Sequence, residues 1–161
     1  MLREFSGEPS IIRKGFFIVL VLLFNTFAWF YMTRTMIDSV LSVLSVTQIQ
    51  IFMVWAAYFL AIIISGIVGS ILSSKISRIN LLYFWMLSGV LTSSLPALLG
   101  NSTVMHVFIV CVLLGVSFGL GMPSCLAYFA DWTLIENRGR TGGIILLITN
   151  LIAPIFAISF G

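Results

Sequence analysis

Charge is what this sequence has least of. Lysine, arginine, aspartate and glutamate together make up 8% of the 161 residues, where a soluble domain carries about a quarter. So few charged side chains cannot cover the surface of a globule, which excludes an ordinary water-soluble fold. Histidine occurs once, at His106. HExxH, paired carboxylates within an apolar run and cysteine clusters with metal-ligand spacing are all missing, so no enzyme and no cofactor or metal centre is expected. The net charge of +3 is not drawn into a basic stripe interleaved with aromatics, and nucleic acid is therefore not an expected partner. The two cysteines, Cys111 and Cys125, share one apolar run. On a helix they would stand roughly 21 Å apart, far beyond the ~7 Å between Cα atoms that a disulfide tolerates; they read as small apolar fillers.

What the chain does have is apolar length. Sixty per cent of it is apolar or aromatic, gathered into five segments at approximately 15–34, 49–73, 79–100, 104–130 and 141–161. Each can cross the roughly 30 Å hydrocarbon layer that about 20 helical residues span. A backbone in lipid must satisfy its own hydrogen bonds, so helices are the expected form, and the alternation of barrel strands is missing. The first segment follows Arg3, Arg13 and Lys14 and runs about nineteen residues without charge. That exceeds the ~7–15 residues of a signal-peptide core and ends in bulky aromatics, so an uncleaved span is expected. The connections are short and polar: RTMIDSVLSVLSVTQ, SSKISR, GNST and DWTLIENRGR.

Basic residues set an expected orientation. With residues 1–14 as a cytoplasmic segment, Arg3, Arg13, Lys14, Lys75, Arg78, Arg138 and Arg140 all fall inside. Only Arg34 falls outside, with Asp38 one turn on as a possible partner. This is the bias that orients multi-span proteins, here in a cell or plasma membrane. The last segment surfaces at Gly161 with no polar flank, so the chain is expected to be the front of a longer polypeptide.

Small and polar residues within the spans carry less specific signals. Ala57, Ala61, Ser65 and Gly69 recur every four residues, and Gly115 and Gly119 do the same; both strips let another helix approach closely. Pro96, Pro123 and Pro154 can each kink a helix. Asn25, Trp29 and Thr33 follow at four-residue steps, and an amide such as Asn25 or Asn150 either bonds a neighbouring helix or lines a cavity. His106, near the outer end of the fourth span, is an interfacial residue or a proton relay. No ionisable group sits at the centre of a span, which argues against a coupling site in this stretch. GVSFG (115–119) contains G-x-S-x-G, but the nucleophile elbow needs a strand-to-helix turn, and a copy inside an apolar helix is a chance match.

The turn SILSSKISRI and the connection YFADWTLIENRGRTGG together resemble the N-terminal half of a major facilitator superfamily transporter. In that family the loop after the second helix runs G-x-L-a-D-R-x-G-R-R/K. Here Ser70 stands at the first glycine, Leu72 at the leucine, Ser74 at the aspartate, Lys75 at the first basic residue, Ser77 at the second glycine and Arg78 at the next arginine; the acid is absent. After the fourth helix, Asp131, Glu136, Arg138 and Gly139 take the places of the family's helix-end acid and E-x-R-G. In TNLIAPIFAI only Pro154 is identical to the fifth-helix motif of antiporters, with Thr149, Ala153 and Ala157 as other small residues.

The resemblance implies an all-α polytopic membrane helix bundle of about five transmembrane helices, a truncated form of the family's N-terminal six-helix domain. It implies secondary-active transport of a small solute by alternating access, with a central site near the midplane. Arg78 would then pair with Asp131 to brace one state, and the cavity would be lined by Asn25, Trp29 and Thr33 on the first helix and Met122, Cys125 and Tyr128 on the fourth. With no charge among these six, a neutral or apolar solute is favoured. The implied partners are the lipid bilayer, that solute and the remaining C-terminal part of the same polypeptide. A non-transporting scaffold or partner subunit is the alternative.

Overall fold

The computed structural model describes residues 9–44, 46–98 and 103–160, apart from the side chains at 9–16, 78, 97–98, 149 and 153–160. The described residues form five α-helices: α1 (Pro9–Val43), α2 (Gln48–Lys75), α3 (Arg78–Ser94), α4 (Val104–Trp132) and α5 (Arg138–Phe160). Short 3-10 turns follow α3 at Leu95–Leu98 and precede α5 at Ile135–Asn137. Three of the helices are long and apolar enough to cross a membrane, over Phe17–Val43, Gln48–Lys75 and Val104–Trp132. The apolar part of α3, Ile79–Ser94, is shorter, and the 3-10 turn extends it. Arg3 lies outside the described residues.

The helix ends follow from local chemistry. Thr47 and Gln50 form a reciprocal capping box at the start of α2, with the Thr47 N–H donating to Gln50 Oε1 at 2.9 Å. Two otherwise orphaned donors are satisfied this way. Ser77 accepts the Asn80 N–H at 3.4 Å and caps α3. His106 Nδ1 lies 2.8 Å from Thr103 Oγ1 at the start of α4, so its contacts are those of a helix end. Pro96 does not kink a helix: it sits in the 3-10 turn where α3 has already ended. Pro123, by contrast, lies inside α4, which continues through it.

The first helix departs from the sequence reading. The stretch from Arg34 onward reads as a polar link, yet α1 continues to Val43. Ile37 and Leu41, one turn apart, are buried against Val54, Tyr58, Val107, Cys111 and Leu114. The polar residues between them face outward, and Thr35, Ser39 and Ser42 return their hydroxyls to carbonyls three or four residues back. An apolar pair at helical spacing, with no glycine or proline between, outweighs the polar look of the segment.

Helix α4 is the hub, packing against α2, α3 and α1, while α5 packs against α1. Two apolar cores result. One joins Ile37, Leu41, Val54, Tyr58, Val107, Cys111 and Leu114 at the far end of α1. The other joins Val19, Leu23, Leu82, Trp85, Cys125 and Ile145 at its near end. The strip on α2 does what its spacing suggests: Ala61, Ser65 and Gly69 are buried, and Ala57 is half-buried. A Cβ at Gly115 would stand 2.6 Å from the Tyr58 carbonyl oxygen. One at Gly119 would collide with Ser65 and the Ile62 carbonyl, and one at Gly69 with the backbone of Leu120. Between helices this apolar, close backbone approach is what selects one packing over another.

Replacing Gly119 by leucine should therefore lower stability by about 1–3 kcal/mol or more, the usual cost of overpacking. Gly89, where an added Cβ meets nothing within 4 Å, should accept alanine at no cost, or gain up to about 1 kcal/mol of helix propensity. Thermal unfolding of the detergent-solubilised protein separates the two variants.

Candidate functional site

Between the two apolar cores, near the middle of the helices, lies a set of polar contacts. The Tyr31 hydroxyl donates to Asn150 Oδ1 at 2.7 Å, tying α1 to α5. Asn150 in turn donates to the Leu146 carbonyl of its own helix. The Trp29 indole N–H donates to Ser93 Oγ at 2.6 Å, tying α1 to α3. Ser88 and Ser117 hydroxyls meet at 3.3 Å between α3 and α4, and Ser65 Oγ donates to the Gly115 carbonyl at 3.4 Å between α2 and α4. Thr26, 2% exposed, donates to the Leu22 carbonyl and touches Cys125 Sγ at 4.0 Å. Aromatic rings fill the same level, with Phe30 and Phe118 centroids 5.1 Å apart and Trp29 stacked on Phe118 at 5.8 Å. None of these groups carries a charge.

The six lining candidates do not come together on one surface. Cys125 is fully buried in the near core, and Tyr128 packs against that core. Thr33 is buried, Met122 is half-buried, and Asn25 is exposed. Asn25, Trp29 and Thr33, although spaced by four, fan out over the helix. Thr33 is turned inward, Trp29 reaches α3, and Asn25 faces outward without a hydrogen bond among the described residues. One crevice, between α1, Pro96 and α4, has a free volume of about 10 Å³, at the threshold for a single water. None of the six lines it; Met36, Ile37, Val40, Val107, Cys111 and Leu114 do.

At one end of the bundle the start of α1 meets the start of α3, the end of α4 and the start of α5, and the end of α2 lies beside the end of α4. Lys75, Arg138 and Arg140 share this end. The α2–α3 turn is very short. The Ile76 N–H donates to the Leu72 carbonyl at 2.9 Å, Ser74 Oγ donates to the Ile71 carbonyl, and the Ser70 carbonyl accepts from Ser73. Ile76 (φ −112°) and Ser77 (φ −59°) make the bend. No left-handed residue is needed, so serines at Ser70 and Ser77 serve where the resemblance puts glycines. Lys75 is exposed in the last turn of α2, where a cation complements the helix dipole. Arg78 opens α3, and its pairing with Asp131 falls on a side chain outside the described ones. Asp131 itself is exposed near the end of α4.

The connection after α4 is held by Arg138. Its Nη2 donates to the Ala130 carbonyl at 2.6 Å and its Nε to the Thr133 carbonyl at 3.2 Å. The guanidinium thus satisfies carbonyls that the end of α4 leaves orphaned. Glu136 and Gly139 are exposed, and a Cβ at Gly139 would meet nothing within 4 Å. At the opposite end, the Arg34 guanidinium stands 6.0 Å over the Trp55 ring.

Tyr31, Ser88, Ser93 and Ser117 were not among the sequence candidates. Their only signal is a hydroxyl in the middle of an apolar run, and Ser117 was further masked by its chance place in GVSFG. The structure puts that pentapeptide inside α4. No family model, curated protein or solved structure matches the chain.

Two outcomes follow. A double-mutant cycle of Tyr31→Phe with Asn150→Ala, read by unfolding in detergent, should return a coupling of roughly 0.6 kcal/mol, and at most about 1.7. Arg138→Gln should lose about 1–3 kcal/mol, because its charged donors serve carbonyls that then go unpaired, and Arg138→Lys should restore only part, lacking the fork that reaches two carbonyls at once.

Proposed function

We propose that this chain is a five-span membrane bundle forming the front portion of a secondary carrier of a small neutral or apolar solute, of the major facilitator type. One observation carries the reading: each apolar core joins one end of α1 to the opposite end of α4, which we read as an inverted repeat of the two halves. Phe30 on α1 and Phe118 on α4 face each other at mid-length, and the helices run antiparallel. A two-fold axis through this pair equates residues 88 positions apart. Val19 and Leu23 of the near core then become Val107 and Cys111 of the far core, and Ile37 of the far core becomes Cys125 of the near one. The same shift carries Tyr31 and Asn150 onto Gly119 and Ile62, which lie close together on α4 and α2 without a side-chain hydrogen bond.

Inverted repeats of this kind underlie alternating access in transporters, where one unit can take either of two packings around a midplane site. The uncharged polar belt supports an uncharged solute. The basic residues at the α2–α3 and α4–α5 end support that end as the cytoplasmic one. Exchange between two packings asks for differences of only a few kcal/mol, to which an exposed Arg78–Asp131 ion pair would contribute up to about 1 kcal/mol.

The close packing of Cys125 and Thr33 favours a second reading, a scaffold or partner subunit that moves nothing. Access distinguishes them. In the native polypeptide with Cys111 and Cys125 replaced by alanine, a cysteine at Met122 is labelled in sealed vesicles with an impermeant thiol reagent. A carrier predicts labelling whose rate from one side changes severalfold on Arg78→Glu and returns with Asp131→Arg added. No labelling from either side, in any variant, supports the scaffold.

A further inference from the structure

Because α1 runs on past its apolar stretch, its two opposite charges sit deeper than the end of a span. The helix continues from Arg34 for nine residues, to Val43, so the Arg34 Cα stands roughly 13 Å along the axis from the helix end. Trp55, which Arg34 faces, is seven residues past Gln48 in α2, at a comparable depth. Side chains around them are apolar and open to the surroundings: Met32, Met36, Phe52 and Phe59 are all exposed. The span Phe17–Val43 has 27 residues and is about 40 Å long. It overreaches a hydrocarbon layer of roughly 30 Å only modestly at each end, and the backbone at Arg34 falls inside that layer. A charge held there needs a partner. The exposed Arg34 guanidinium lies over the Trp55 ring at 6.0 Å, the outer limit of a cation–π contact. Trp55 in turn rests on Phe59, with ring centroids 5.9 Å apart. Asp38, also exposed, lies one turn nearer the helix end on the same flank. The two charges form no ion pair among the described residues. Arg34 turns to α2 instead, and a base four residues before an acid is the weaker order for such a pair.

We infer that Arg34, Trp55 and Asp38 form a site for the headgroup of a phosphatidylethanolamine in the leaflet at that end of the bundle. This rests on the chain spanning a membrane and not on transport. The order of charge along α1 matches that lipid. Its phosphate lies next to the glycerol, and its ammonium follows outward on a short linker. Arg34 is the deeper charge, and its long side chain reaches toward the edge of the apolar layer. There its fork takes two phosphate oxygens at once. Trp55 backs the guanidinium at the level where aromatic rings anchor spans. Asp38, roughly 6 Å further along the axis, meets the ammonium and accepts its N–H groups. The acyl chains then lie along the exposed Phe52 and Phe59. Phosphatidylglycerol brings the phosphate but no cation for Asp38, and the quaternary ammonium of phosphatidylcholine has no N–H to donate.

The test is mass spectrometry of the intact native polypeptide, released from detergent that contains equimolar phosphatidylethanolamine, phosphatidylcholine and phosphatidylglycerol. The wild-type protein should retain phosphatidylethanolamine severalfold over either other lipid. Arg34→Gln should lower that retention severalfold, while Arg140→Gln, an exposed cation at the opposite end, leaves it unchanged. Asp38→Asn should keep a bound lipid but lose the preference among the three. Exchanging the pair, Arg34→Asp with Asp38→Arg, reverses the order of charge and should not recover the preference. All of these side chains are exposed, and an unchanged unfolding temperature in detergent shows each variant folded. Equal retention of the three lipids by the wild type would overturn the inference. So would an exchanged pair that behaves as wild type, which marks an intrahelical ion pair, or displacement of the lipid by inorganic phosphate, which marks a site for a free anion. Dissociation of a second copy on Arg34→Gln, with lipid retention unchanged, would overturn it as well.

Discussion

The fold depends on backbones touching along α4. Gly115 and Gly119 admit α2 at distances where any side chain would strike a carbonyl or Ser65, and Gly121 admits the ring of Trp85 from α3. Helices that are apolar on nearly every side gain little by choosing one apolar neighbour over another. They are sorted by shape and by the few hydrogen bonds available. The small residues of α4 supply the shape, and Ser65, Ser88 and Ser117 add hydrogen bonds at the same level. With α4 fixed between α2 and α3, α1 has one remaining face of α4 to occupy, and α5 follows through Tyr31.

The proposed two-fold relation accounts for the arrangement of the cores. Each core takes one end of α1 and the opposite end of α4, and the two meet at the Phe30–Phe118 pair. Several uncharged polar groups gather at this crossing, near mid-length of α1, α2, α4 and α5, while Tyr58 keeps a buried hydroxyl inside the far core. The result is an uncharged belt between two dry layers. On the proposed reading this is where a solute would be held and where packing would alternate.

How much of this was legible depends on the kind of signal. Long apolar runs marked α2 and α4 to within a few residues, because length is a local property. The Ala61, Ser65 and Gly69 strip was readable for the same reason: small residues every four positions make one groove wherever they occur. The end of α1 was misread because Asp38, Ser39 and Ser42 look like a link, while Ile37 and Leu41 are held by residues far along the chain. Which face of α1 points where was not legible at all. Where nearly every position is apolar, a four-residue step from Asn25 to Trp29 to Thr33 does not define a side. The partners Ser93 and Asn150 lie on other helices. Serines stand at the glycine positions of the α2–α3 turn, and the turn makes its bend without a left-handed residue.

The inverted repeat is the central claim, and the native cysteines offer the most direct measurement of it. Leu23 shares the near core with Cys125, and Ile37 shares the far core with Cys111. In membranes treated with a short bifunctional thiol reagent, Leu23→Cys should cross-link to Cys125 and not Cys111. Ile37→Cys should cross-link to Cys111 and not Cys125, and Asn25→Cys to neither. If either core position joins the other cysteine, or if only one of the two pairs forms, the two halves are not related by the proposed axis.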